Sequence, residues 1–243
     1  MKIIQYPSPN HGERTLAVDM LMMHYTGMKS GAEALERLCD PEGQVSAHYL
    51  VEEDGRVFQL VEENLRACHA GVSIWRGERD SNSRSIGIEI VNPGHEWGYR
   101  AFPDTQINAV IKLSQQILSR HDIPARHVVG HSDVAPARKT DPGELFPWDI
   151  LARNDIGIAP PKVGDGGNLL VSKGTKNEKS IQAQRLLNQI GYDVPLTGQW
   201  DDHSITNMTA FQRHFHPQRL DGLVDEGSME ALEKTVAAMV YGI

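Results

Sequence analysis

Residues 18–23, Val18-Asp19-Met20-Leu21-Met22-Met23, are apolar at every position but one. A run this short and this continuous reads as a central strand, because a strand buried on both faces loses its polar alternation. It stops at His24. A second run, Val128-Val129-Gly130, stops in the same way at His131. Between them, Ile86, Ile88 and Ile90 alternate with Gly87, Glu89 and Val91, which puts Glu89 on the face opposite the isoleucines. Tyr49-Leu50-Val51 and Val57-Phe58-Gln59-Leu60-Val61 flank the turn signal Glu53-Asp54-Gly55 and predict a hairpin. Ile107, Val110, Ile111, Ser114, Ile117 and Leu118 share one helical face and predict a helix over 104–120, with Asp104 or Thr105 as its N-cap. Strand and helix signals alternate, as in an α/β arrangement, but periodicity does not give strand order.

The two strand-end histidines and Asp141, ten residues beyond the second, form a candidate metal-binding set. Two imidazoles and one carboxylate are a common donor set for catalytic zinc, with the fourth position left to water. Cys39 and Cys68, the only cysteines, cannot build a four-thiolate structural site. Other readings of the same residues stay open. A strand-end histidine often only satisfies a hydrogen bond, Asp141-Pro142-Gly143 also reads as a turn, and no HExxH word places two ligands on one helical face. Glu89 points more firmly to function, since a carboxylate in an apolar strand is costly to bury unless it is paired or faces a wet cleft.

A net charge of −8 argues against a protein built to hold nucleic acid, while leaving room for a local basic cleft. Tyr6-Pro7-Ser8-Pro9-Asn10 follows the first five residues and leaves no space for the apolar stretch of about 7–15 residues that a secretory signal needs. No run approaches the roughly 20 apolar residues of a membrane span. The direct expectation is a cytoplasmic protein; a trimmed periplasmic chain would read the same. The sequence leaves the oligomeric state open.

The style of the chain changes at 156–172, which includes Ala159-Pro160-Pro161-Lys162-Val163-Gly164-Asp165-Gly166-Gly167. Proline stiffens such a stretch and glycine loosens it, so we expect a linker between a first domain, 1–155, and a second, 173–243. Beyond it Ile181, Leu186, Leu187 and Ile190 form a helical pattern ending at Gly191, a C-cap signal. Two further helices follow, one through Phe211 and Phe215, one through Met229, Leu232 and Val236.

His24-Tyr25-Thr26, Ser46-Ala47-His48-Tyr49, His69-Ala70-Gly71-Val72-Ser73, Ser85-Ile86-Gly87-Ile88-Glu89, Gly130-His131-Ser132-Asp133 and Arg138-Lys139-Thr140-Asp141-Pro142-Gly143 occur in this order. As a set they resemble the type 2 N-acetylmuramoyl-L-alanine amidase family, the AmpD- and AmiD-like zinc amidases, over roughly the first 155 residues. The ordered words Gly191-Tyr192, Gly198, Ala210-Phe211-Gln212 and Asp221-Gly222-Leu223-Val224-Asp225 resemble the small three-helix peptidoglycan-binding module. A helical appendage serving stability or dimerisation is the plain alternative. The first resemblance implies a mixed central sheet flanked by helices, with Zn²⁺ in a cleft held by His24, His131 and Asp141. It implies Glu89 as the base that moves the water proton and Lys139 as the stabiliser of the oxyanion. His48 and His69 are candidate substrate contacts or structural residues. The implied reaction cleaves the amide between N-acetylmuramic acid and L-alanine in peptidoglycan or muropeptides, as in wall catabolism or muropeptide recycling. A non-catalytic peptidoglycan-recognition protein and a zinc peptidase acting within the stem peptide are the alternatives. The resemblance does not fix whether the sugar is the anhydro form or which residue is third in the stem.

Overall fold

The apolar run at 18–23 forms the interior of a six-stranded sheet. The computed structural model describes residues 1–164 and 166–241; Asp165, in the expected linker, and residues 242–243, at the end of the expected second domain, lie outside the described residues. In chain order the elements are β1 (Ile3–Gln5), β2 (His11–Glu13), β3 (Met20–Tyr25), α1 (Gly31–Cys39), β4 (Tyr49–Val51), β5 (Val57–Gln59), β6 (Leu65–Ala67), α2 (Ser81–Arg84), β7 (Ser85–Ile90), α3 (Gly94–Trp97) and α4 (Asp104–Arg120). They continue as β8 (Val128–Gly130), α5 (His131–Val134), α6 (Trp148–Ala152), β9 (Leu169–Val171), α7 (Glu178–Ile190), α8 (Asp202–Phe215), β10 (Val224–Asp225) and α9 (Glu226–Tyr241).

The main sheet runs β1-β5-β4-β7-β3-β8. It is mixed: β4 and β5 form the antiparallel hairpin, and the other neighbours are parallel. Leu21 of β3 pairs with Ile86 and Val128, and Met23 pairs with Ile88. These residues face α4, whose Ile107, Val110, Ile111, Leu113 and Ile117 complete one core cluster. The predicted helix is therefore present over its full span. Its N-cap is Pro103, however, and Asp104 is already helical. The Thr105 hydroxyl donates instead to the Glu53 carbonyl and ties the helix to the hairpin turn.

The opposite face of the sheet carries Met20, Met22 and Val129. These share one core cluster with Trp75 and with Leu187, Ile190, Tyr192, Phe211 and Phe215 of the C-terminal half. The stretch 156–172 does not separate two cores. Ile156 is buried beneath the first domain, Val163 packs against the shared cluster, and the stretch ends in β9, where Val171 is buried in that same cluster. A glycine makes the contact possible: a Cβ on Gly191, at the end of α7, would stand 2.8 Å from the Trp75 ring. The Arg76 amide donates to the Gly191 carbonyl, and the Arg76 guanidinium donates to the carbonyls of Gln189 and Ile190. To the three expected helices the structure adds a two-stranded sheet, in which β10 brings Val224 beside Val171. Asn177 and Asp201 cap α7 and α8 by accepting from the amides of Ser180 and Ser204. Among the described residues no helix is long and apolar enough to cross a membrane.

Candidate metal centre and active-site cleft

Three neighbouring parallel strands end at one point. Glu89 on β7 is the register partner of His24 on β3. Gly130 on β8 is the partner of Met23, so His131 emerges at the level of His24. In open sheets of this kind ligands bind at the carboxyl ends of the strands. The period of two puts His24 and Glu89 on the face opposite Met23, Ile88 and Ile90. Asp141 is delivered by the loop after α5, where the Ser132 amide donates to the Asp141 carbonyl at 2.8 Å.

The three expected metal donors meet. His24 Nδ1 lies 3.0 Å from His131 Nδ1 and 3.0 Å from Asp141 Oδ2, and His131 Nδ1 lies 3.1 Å from that same oxygen. All three residues are buried. Hydrogen bonds behind them fix where the protons are. His131 Nε2 faces the Ala70 carbonyl at 3.0 Å, so it carries the proton and leaves Nδ1 as a lone pair. Ser85 Oγ donates to the Ser81 carbonyl and so accepts from His69 Nε2 at 3.1 Å. His69 Nδ1 is then an acceptor for His24 Nε2–H at 2.9 Å, which leaves His24 Nδ1 as a lone pair too. Two lone pairs and a carboxylate oxygen thus converge with no proton among them, an arrangement suited to a metal cation.

The electrostatics agree. Burial, with His131 beside it, lowers His24 from 6.5 to about 4 and keeps it neutral near pH 7. Burial, then His24 and His48, pushes His69 well below the ordinary value. Burial alone would raise the Asp141 carboxyl, but His131 and His24 more than reverse this and hold it far below the usual range. Glu89 goes the other way: burial, and behind it the charge of Asp141, lifts it well above 4.5, with Lys139 opposing. Its Oε2 is sealed from solvent and has no hydrogen-bond partner among the described residues.

The donors open onto a cleft of ≈ 520 Å³ lined also by Glu89, His69, Lys139, Arg138 and Arg37. His69 lines this cleft but also braces His24, a link that no sequence pattern displayed. His48 does not line it. It is fully buried, accepts from the Gly87 amide through Nδ1, and lies 2.7 Å from the Arg14 guanidinium through Nε2. Burial and Arg14 lower it to about 3. Those contacts fit the structural alternative for His48 and leave it no surface for substrate. Sequence reasoning also passed over Asn82, whose Oδ1 accepts from the amides of His69 and Ala70 and so shapes the loop behind two donors.

The fold and the cleft define an α/β protein with a candidate metal centre at the carboxyl ends of its central strands. The profile of the N-acetylmuramoyl-L-alanine amidases matches residues 14–144. AmiD of Escherichia coli K12 is 36% identical over 221 residues, covering 86% of this chain and 78% of the relative. AmpD of Enterobacter cloacae, a 1,6-anhydro-N-acetylmuramyl-L-alanine amidase, is 39% identical over 104 residues, covering 43% of this chain and 54% of its own length. Among solved structures, E. coli AmiD in complex with anhydro-N-acetylmuramic acid-L-Ala-D-γ-Glu-L-Lys superposes with a TM-score of 0.75 at 32% identity, over 94% of this chain and 92% of that one. AmpDh3 of Pseudomonas aeruginosa does so with a TM-score of 0.73 at 31% identity, over 93% of each chain. The chain belongs to the N-acetylmuramoyl-L-alanine amidase family, and it is an amide hydrolase of the bond that gives the family its name.

Proposed function

We propose that the amidase is zinc-dependent, with His24, His131 and Asp141 as ligands, and that it acts on peptidoglycan fragments bearing the stem peptide. The observation that carries this reading is the convergence of two imidazole lone pairs and a carboxylate beside Glu89, whose Oε2 has no hydrogen-bond partner among the described residues. Mixed nitrogen and oxygen donors, three in number, suit a catalytic zinc. Bound there, zinc supplies Lewis acidity toward the scissile carbonyl. Glu89 takes the proton of the attacking water and delivers it to the departing amine of L-alanine. Lys139 donates to the carbonyl oxygen as it gains charge.

The substrate reading is supported by the complexes of AmiD and of AmpDh3, which hold an anhydromuramoyl peptide and an anhydromuramic pentapeptide. Arg37, Arg138 and Lys139 on the cleft wall offer cationic partners to an acidic fragment. The C-terminal helices are proposed, on their resemblance to the wall-binding module, to hold polymeric peptidoglycan; co-sedimentation of the full chain with sacculi tests that role. Mass spectrometry of muropeptides digested with zinc-loaded and metal-stripped protein tests the main reading. The expected products are free stem peptide and the N-acetylmuramic acid sugar with its lactyl carboxylate freed, formed only by the loaded sample. Full cleavage by the stripped protein would sink the metal role, and cuts within the stem would identify a peptidase.

A further inference from the structure

We propose that Asp133 is a positioning residue for the metal donor His131, and that the C-terminal half completes the metal centre by supplying two of the donors that hold Asp133. The proposal rests on the reading of His131 as a zinc ligand.

Asp133 is 1% exposed. Its Oδ2 accepts from the Gly130 amide at 2.7 Å, across the turn in which β8 passes into α5. His131 is the first residue of that turn, and the amide of Ser132, its second, donates to the Asp141 carbonyl. One short turn therefore sets the position of two of the three donors, and the Asp133 carboxylate fastens its start. That carboxylate has two further partners, both from the other half of the chain. Tyr192 Oη donates to Oδ1 at 2.6 Å, and His214 Nδ1 lies 2.7 Å from Oδ2. A carboxylate facing Nδ1 requires the proton on that nitrogen. The His214 ring is in turn stacked on Trp148, with centroids 3.8 Å apart and planes at 19°.

A buried carboxylate needs its donors, because removing one leaves charge with neither water nor partner. Without Tyr192 and His214 the Gly130 amide would be its remaining partner among the described residues, and the carboxylate would be driven to turn toward solvent and release the His131 turn. Groups that orient metal ligands from behind typically contribute 10–100-fold to affinity. A C-terminal half that merely carried the enzyme to the wall would have no such effect.

The test measures zinc affinity by chelator competition, together with Tm and the split of kcat against KM, on four full-length proteins. Tyr192→Phe with His214→Phe keeps both rings and removes both donors. Leu187→Ala opens a hole in the shared core, and a leucine side chain has no donor to offer Asp133. His214→Asn in the Tyr192→Phe background returns a donor near the Nδ1 position. The expected result is zinc binding weakened about 10–100-fold in the double variant, unchanged in Leu187→Ala at a comparable fall in Tm, and partly restored by the asparagine. Zinc affinity that follows Tm alone across the set overturns the proposal. If the double variant does not fold, Tyr192→Phe alone decides it, with a several-fold loss of zinc affinity expected and no loss overturning. Failure of the unsubstituted protein to take up zinc would overturn the ligand reading itself, and is distinct from zinc uptake that ignores Asp133.

Discussion

Glu89 and His24 face one another as register partners on β7 and β3, and Glu89 Oε2 is sealed beside the donors with no hydrogen-bond partner among the described residues. A group left so is costly to stability, a cost that fits the proposed role of Glu89 as the base. Glu89→Gln should retain zinc and fold while lowering turnover by about 10²–10⁴. Zinc content, Tm and muropeptide cleavage measured on one preparation check this. Near-normal turnover by folded, zinc-loaded protein would remove Glu89 as the base.

Gly87 lies under His69. A Cβ there would stand 2.6 Å from the imidazole, well inside contact distance. Gly87→Ala should displace the ring, break the His69–His24 hydrogen bond and loosen the Nδ1 lone pair that His24 presents. Zinc affinity should fall about 10–100-fold, and His69→Ala should act in the same direction. Chelator competition measures both; unchanged affinity would mean that His24 needs no brace.

Met20, Met22 and Val129 share their core with α7 and α8, so the two halves should unfold together. Trp75→Ala, at the contact between them, should cost about 3–5 kcal/mol in a single urea transition seen alike by tryptophan fluorescence and far-ultraviolet dichroism. Two separated transitions would show independent domains. Removal of residues 169–243 should expose this sheet face and give an aggregating protein rather than a smaller working amidase.

Acid should weaken the protein through Glu63. Burial would raise this carboxyl, but Arg120, His121 and Tyr49 donate to it and bring it from 4.5 to about 2. The charged form is therefore favoured by folding. That contribution is complete above the unfolded value of 4.5 and drains away as pH falls toward 2. Urea unfolding between pH 2 and 6 should show Glu63→Gln less stable than the parent at pH 6, with the difference narrowing at low pH. A difference independent of pH would assign the loss to packing.

Local periodicity announced β3, β7, the hairpin and α4, because each is decided by neighbours in sequence. The candidate metal donors are another matter. His24 lies 107 residues from His131 and 117 from Asp141, and no spacing rule spans such distances; the ordered family words carried that inference. His69 and Asp133 stood inside those words, yet their partners, His24, Tyr192 and His214, are known only once the sheet and the shared core exist. The stretch at 156–172 misled for a similar reason. Proline and glycine report the stiffness of a connection, and say nothing of the apolar faces it later brings together.

The six-stranded sheet places its candidate metal donors unequally. His24 rises from an interior strand, whereas His131 follows β8, the last strand, held to the sheet by β3 alone through a three-residue register. Local opening draws on the segments with the fewest backbone partners, and β8 has a neighbour on one side alone. For a zinc ion held as proposed, the residence time would then depend on how often this one short marginal strand opens as well as on the bonds at its three ligands. Anything that slows that opening would lengthen the time the cation stays, even from a distance and without touching it.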